Sequence, residues 1–151
     1  MIYLASDHAG FELKEKVKEF LEKEGYEVED CGAYELNPVD DYPDFISKAA
    51  EAVSKDPESK AIIFGGSGQG EAIVANKFSN VRAAVFYGNA DMVSLTREHN
   101  DANILSLGAR FLTEDEVFEA VKLWLETPFT EEERHVRRIE KIKKIEQGLL
   151  K

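Results

Sequence analysis

The chain has a single cysteine, Cys31, in 151 residues. That excludes an internal disulfide framework, and no zinc-ligand spacing exists either. Both absences suit a cytoplasmic protein. Basic residues are also scarce: 19 Lys and Arg stand against 30 Asp and Glu, for a formal net charge of −11. A general nucleic-acid binder carries a basic footprint, so that class is excluded. Long apolar runs are missing, and no stretch suffices to cross a bilayer. The opening "MIYLASDHAG" has no basic n-region, so no signal peptide is expected. Internal repeats and low-complexity segments are absent too. Hydrophobic residues still make up 43% of the chain, which argues for a folded core over disorder. One domain over residues 1–151 is expected.

What is present is alternation. "MIYLAS", "YEVEDCG", "AIIFGG", "RAAVFYG" and "NILSLG" read as strands. "GFELKEKVKEFLEKEG", "FISKAAEAVSK", "EAIVANKF", "ADMVSLTREHN" and "TEDEVFEAVKLWLET" read as helices. In the last of these, Thr113 and Glu116 have capping-box spacing. The pattern predicts a doubly wound, Rossmann-like α/β fold: a five-stranded parallel sheet with helices on both faces. An extra C-terminal helix, "TEEERHVRRIEKIKKIEQGLL", is charged on most faces. Its one apolar stripe (Val136, Ile139, Ile142, Ile145, Leu149) suits its own domain or a partner subunit equally. Ligands in doubly wound folds bind beyond the carboxyl ends of the strands. The informative positions are therefore Asp7 and His8, Asp41 to Asp44, Gly65 to Glu71, and Gly108 to Arg110.

The loop "GGSGQGE" places Gly65, Gly66, Gly68 and Gly70 within six positions, with Glu71 immediately after. Glycines let backbone approach a ligand, and the first N–H groups of the next helix lack internal partners. No Lys-Ser or Lys-Thr closes the loop, so it is not a Walker loop. It comes after the third strand, which fits a dinucleotide fingerprint poorly. Glu71 has two readings. One is a favourable charge in the first turn of a helix. The other is a base that removes a proton from carbon while loop N–H groups stabilise the developing oxyanion. The helix start favours its ionised form and burial opposes it. Asp7 reads as a helix cap and His8 as a proton-exchanging or binding residue. His99 and Asn100 suit a helix C-terminus, with Asn100 in the left-handed region. Arg134 and Arg138 lie four apart on one helix face and suit a phosphate, although Glu131, Glu132 and Glu133 flank them.

Taken in order, "SDHAGFELK", "DYPDF", "GGSGQGEAIVANK", "VRAAV", "REHNDANIL", "LGAR" and "ERHVRRI" resemble the ribose-5-phosphate isomerase type B family, which includes the galactose-6-phosphate isomerase subunits. The resemblance runs along nearly the whole chain. It implies a doubly wound domain of the pentose phosphate pathway, needing no metal or cofactor. It further implies a homodimer or homotetramer with active sites between subunits, acting on a sugar phosphate. By position, Asp7 and His99 would help open the sugar ring. Ser67 and the N–H groups of Gly66, Gly68 and Gly70 would hold the enediolate oxygens. His8, Arg110, Arg134 and Arg138 would hold the phosphate, and Tyr42 and Asn100 would line the sugar pocket. Many members begin the glycine loop with a cysteine base, where this chain has Gly65, and Cys31 does not match that position. A second branch carries Gly-Gly-Ser-Gly-x-Gly-Glu with a glutamate base, and that pattern points to Glu71. Two smaller differences are an extra Asp before Tyr42 and Glu132 and Glu133 in place of common glycines. The expected activity is conversion of ribose 5-phosphate to ribulose 5-phosphate. The alternatives are isomerisation of allose or galactose 6-phosphate, or non-catalytic binding of a sugar phosphate.

Overall fold

The computed structural model describes residues 1–149. Five strands are formed: β1 (Ile2–Ser6), β2 (Val28–Asp30), β3 (Lys60–Gly65), β4 (Ala83–Phe86) and β5 (Ile104–Gly108). They alternate with α1 (Phe11–Lys23), α2 (Pro43–Lys55), α3 (Gln69–Ala75), α4 (Ala90–Glu98) and α5 (Glu114–Glu126), and α6 (Glu133–Glu146) closes the series. The strands form one sheet in the order β2-β1-β3-β5-β4, and every neighbouring pair is parallel. The doubly wound architecture expected from the alternation is the one observed.

The central strands show why the sequence must be covered on both faces. In β3, Ile62 and Phe64 join Val17 and Leu21 of α1 and Val117, Val121 and Trp124 of α5. Ala61 and Ile63 point the other way, onto Ile46, Ala49 and Val53 of α2 and Ala75 of α3. A strand buried on both faces needs a continuous apolar run, which is what "AIIF" provides. Ile62, Ile63 and Phe64 are fully buried. Each contributes about 1.5–3 kcal/mol relative to exposure.

The winding also creates the cleft. β1 and β3 are neighbours, yet β1 leads into α1 on one face and β3 leads into α3 on the other. The two connections diverge from adjacent strand ends and leave a crevice between them.

Several boundaries differ from expectation. β2 covers three residues of the expected seven, since it is an edge strand paired with β1 alone. α3 stops at Ala75 because the Asn76 side chain turns the backbone: its Oδ1 accepts from Ala83 N–H at 2.8 Å and its Nδ2 donates to Ala83 O at 3.1 Å. Asn100 is not the left-handed residue after α4. His99 is the C-cap, and Asp101 takes φ 44°, its carboxylate held by Arg97 at 2.7 Å and Arg82 at 3.3 Å. The Thr113–Glu116 capping box is present at both of its bonds. α6 ends at Glu146, and Leu150 of the expected helix lies outside the described residues. Val136, Ile142, Ile145 and Leu149 of its stripe remain exposed on this single chain. Among the described residues, no helix is long and apolar enough to cross a membrane.

Candidate active site

The crevice at the carboxyl ends of β1, β3 and β5 is a cleft of about 550 Å³. Asp7 and His8 enter it from the end of β1, Gly66, Ser67, Gly70 and Glu71 from the loop after β3, and Arg110 from beyond β5. Tyr42 arrives from the start of α2. Eight residues expected at the site are thus brought together by topology.

The glycines are needed for steric reasons. A Cβ on Gly65 would fall inside the Glu71 carboxylate. A Cβ on Gly70 would lie 2.7 Å from Tyr42 Cζ, and one on Gly66 would lie 3.1 Å from Arg110 Nη1. Three glycines therefore each make room for a different functional side chain. Gly68 differs from its expected role: it does not line the cleft. It takes φ 78° as the N-cap of α3, faces Leu107 and Gly108 of β5, and its carbonyl accepts from Ser106 Oγ at 2.6 Å. A positive φ is what only glycine adopts cheaply.

Glu71 is 4% exposed, and its Oε2 has no hydrogen-bond partner among the described residues. Burial pushes its carboxyl above the ordinary value of 4.5 and the Asp7 charge adds to that, while the N–H groups of Glu71 and Gly68 oppose it. Burial outweighs those N–H groups. A carboxylate raised in this way is a stronger base near neutral pH. The nearby thiol offers no rival: Cys31 is buried off the cleft, and burial pushes it up to about 11.

Asp7 caps a turn ahead of α1 and not the helix itself. Its Oδ1 accepts from Ala9 N–H at 2.9 Å and Gly10 N–H at 3.2 Å, and Gly10 is the N-cap. Ser67 Oγ accepts from Gln69 N–H at 3.3 Å. His8 Nδ1 lies 2.7 Å from Asp40 Oδ1. Asp7, His8 and Asp40 bring three potential ligand atoms within 4.8 Å of one another. His8 Nδ1 is already bonded to Asp40, so His8 Nε2 is the ring nitrogen left free in this trio.

Four expected residues lie elsewhere. His99 and Asn100 come after α4 and precede β5, so they sit at the amino end of the sheet, opposite the cleft. His99 stacks on His135 with ring centroids 4.2 Å apart. Arg134 pairs with Glu132 at 3.0 Å and Arg137 with Glu133 at 2.9 Å, while Arg138 has no ion pair among the described residues. Burial and the neighbouring His99 hold His135 below the ordinary imidazole range. Sequence reasoning gives no role to Asp40, does not foresee the stack of His135 on His99, and leaves Gln69, Ile73 and Phe111 of the cleft wall unassigned. Asp40 carries one signal, as the extra aspartate of its loop.

The comparisons agree with this geometry. The sequence profile of the ribose/galactose isomerase family matches residues 2–142. Ribose-5-phosphate isomerase B of Mycolicibacterium paratuberculosis is 42% identical over 139 residues, covering 92% of this chain and 87% of that protein. The solved ribose-5-phosphate isomerase B of Clostridium thermocellum is 44% identical with a TM-score of 0.92, covering 97% of each chain. That of Mycoplasma genitalium, solved with bound ribulose 5-phosphate, is 37% identical with a TM-score of 0.93, covering 97% of this chain and 95% of the other. Sequence, sheet order and cleft converge, and the chain belongs to the ribose/galactose isomerase family.

Proposed function

We propose that this chain, as a single cytoplasmic isomerase domain, interconverts ribose 5-phosphate and ribulose 5-phosphate, with Glu71 as the base. The observation that carries the reading is the seat of Glu71. Its buried carboxyl occupies the space left open by Gly65, beside Asp7 in the crevice between β1 and β3. The proposal of a pentose rests on the relatives, which are named for ribose 5-phosphate.

The chemistry rests on the donor set. Asp7 and a histidine open the furanose ring by exchanging protons with its oxygens. Glu71 takes the proton from C2 of the open aldose, and the electron pair moves through the C1–C2 bond to leave an enediolate. Ser67 Oγ and the N–H groups of Gly66 and Gly70 donate to its oxygens. Glu71 then returns the proton to C1, while a proton passes from the oxygen on C2 to that on C1. His8 and Arg110 hold the phosphate.

The histidine and the remaining arginines come from a second copy in this reading. His99, Asn100, Arg134 and Arg138 lie at the far end of their own sheet and cannot reach their own cleft. A two-fold dimer presents this end of one chain to the cleft of another, and the exposed stripe of α6 supplies apolar surface for such contact. An isomerase assay across aldose phosphates tests the whole reading. Turnover greatest on ribose 5-phosphate is expected. Greater kcat/KM on a six-carbon phosphate, or no C2 deuterium exchange on any sugar phosphate, overturns it.

A further inference from the structure

The chain carries one aspartate more than "DYPDF" requires, and the fold gives it a partner. Asp40 Oδ1 accepts twice from one residue: from the His8 backbone N–H at 3.0 Å and from His8 Nδ1 at 2.7 Å. The two residues are 32 positions apart, one after β1 and the other in the loop before α2. The Asp40 side chain is 7% exposed, and its Oδ2 has no partner among the described residues. His8 is the one ion-pair partner that Asp40 has among the described residues. A buried carboxylate without a counter-charge is costly, so this contact is not incidental to the loop.

A carboxylate accepts and does not donate, so the proton of the 2.7 Å contact sits on Nδ1. One oxygen grips both the main chain and the ring of His8, which fixes the ring's direction. The nitrogen left for the cleft is Nε2. A phosphate oxygen is an acceptor as well, so Nε2 must also carry a proton to hold it.

We propose that Asp40 is a positioning residue for the phosphate end of the substrate. It orients His8 and keeps a proton on Nδ1, so that Nε2–H faces the phosphate. This rests on the proposed role of His8 as a phosphate ligand. The test compares Asp40→Ala, Asp40→Asn and His8→Ala with the wild-type enzyme. Asp40→Ala should raise KM for ribose 5-phosphate and Ki for inorganic phosphate by roughly tenfold each, with the loss falling on KM more than kcat. Asp40→Asn keeps an acceptor oxygen in place and should recover most of it. In ¹⁵N-histidine NMR, His8 Nδ1 should read as protonated in the wild type and lose that signature in Asp40→Ala. Asp40→Ser, too short to reach the ring, gives the same test should the alanine variant unfold. A loss confined to kcat, or an unchanged His8 Nδ1 signal in Asp40→Ala, overturns the proposal. If His8→Ala weakens phosphate and Asp40→Ala does not, the Asp40 proposal alone fails. If His8→Ala leaves phosphate inhibition intact, the phosphate assignment falls and takes this proposal with it.

Discussion

The two ends of the sheet hold their polar residues in different ways. At the carboxyl ends, Glu71, Asp7, His8 and Asp40 are buried or half-buried and braced by neighbours from other elements. At the amino ends, Arg134 and Arg138 stand on an exposed helix, and His99 rests on His135. Buried polar groups without full partners are costly and persist where the surrounding fold holds them. Glu71, with Oε2 unpartnered, is of that kind. Arginines at an open end cost little when alone and gain partners when a ligand or second chain arrives. The first end holds its polar groups in place within the chain, and under the proposed reading the second end completes the cleft of another copy.

Substitutions at the two ends test this contrast. The largest effect belongs to Glu71→Gln, which should lower kcat by about 10²–10⁴-fold while leaving phosphate inhibition in place. A near-wild-type kcat would remove Glu71 as the base. Next is Gly65→Ala, which forces the Glu71 carboxyl from its seat without touching its chemistry. Displacement of a reacting group by an ångström can cost about 10²-fold, and a loss of that order in kcat with a normal melting curve is expected. If Gly65→Ala retains full turnover, the seat is irrelevant. Third, Glu71→Gln and His99→Ala chains unfolded and refolded together should regain about a quarter of wild-type activity, because half of the dimers carry one intact shared site. No recovery would overturn the shared site. The smallest effect is on pH. Burial raises the folded-state value of Glu71, so the base is lost as pH falls through a value above 4.5. The acid limb of kcat/KM should lie above that of an exposed glutamate and should vanish from the residual activity of Glu71→Gln.

Much of the molecule is legible in its residues. The five strands arise from apolar runs set between amphipathic helices, and the Thr113–Glu116 box can be read because its spacing is local. The cleft residues Asp7, His8, Tyr42, Ser67, Glu71 and Arg110 emerge from inspecting the residues just past each strand and from resemblance to a family. Boundaries set by side chains are not legible: Asn76 ends α3 by bonding a residue seven positions on. Nor is the Asp40–His8 bond, which spans 32 positions and two loops. Asparagine favours the left-handed region, which points to Asn100. The position goes instead to Asp101, whose carboxylate two arginines hold.

Periodicity along the chain carries the fold class, while the resemblance of its ordered motifs, with "GGSGQGE" among them, points to the family and to Glu71. Tertiary structure decided the rest. Burial, a property of packing and not of order, settled which way the Glu71 carboxyl titrates. In sequence the loop glycines look like seats for ligand oxygens. In three dimensions Gly65, Gly66 and Gly70 also make room for Glu71, Arg110 and Tyr42, since two atoms cannot share one place. The separation of His99 from the cleft comes from the direction of α4, which runs back to the amino end before β5 begins, and the stack of His135 on His99 holds the start of α6 at that same end.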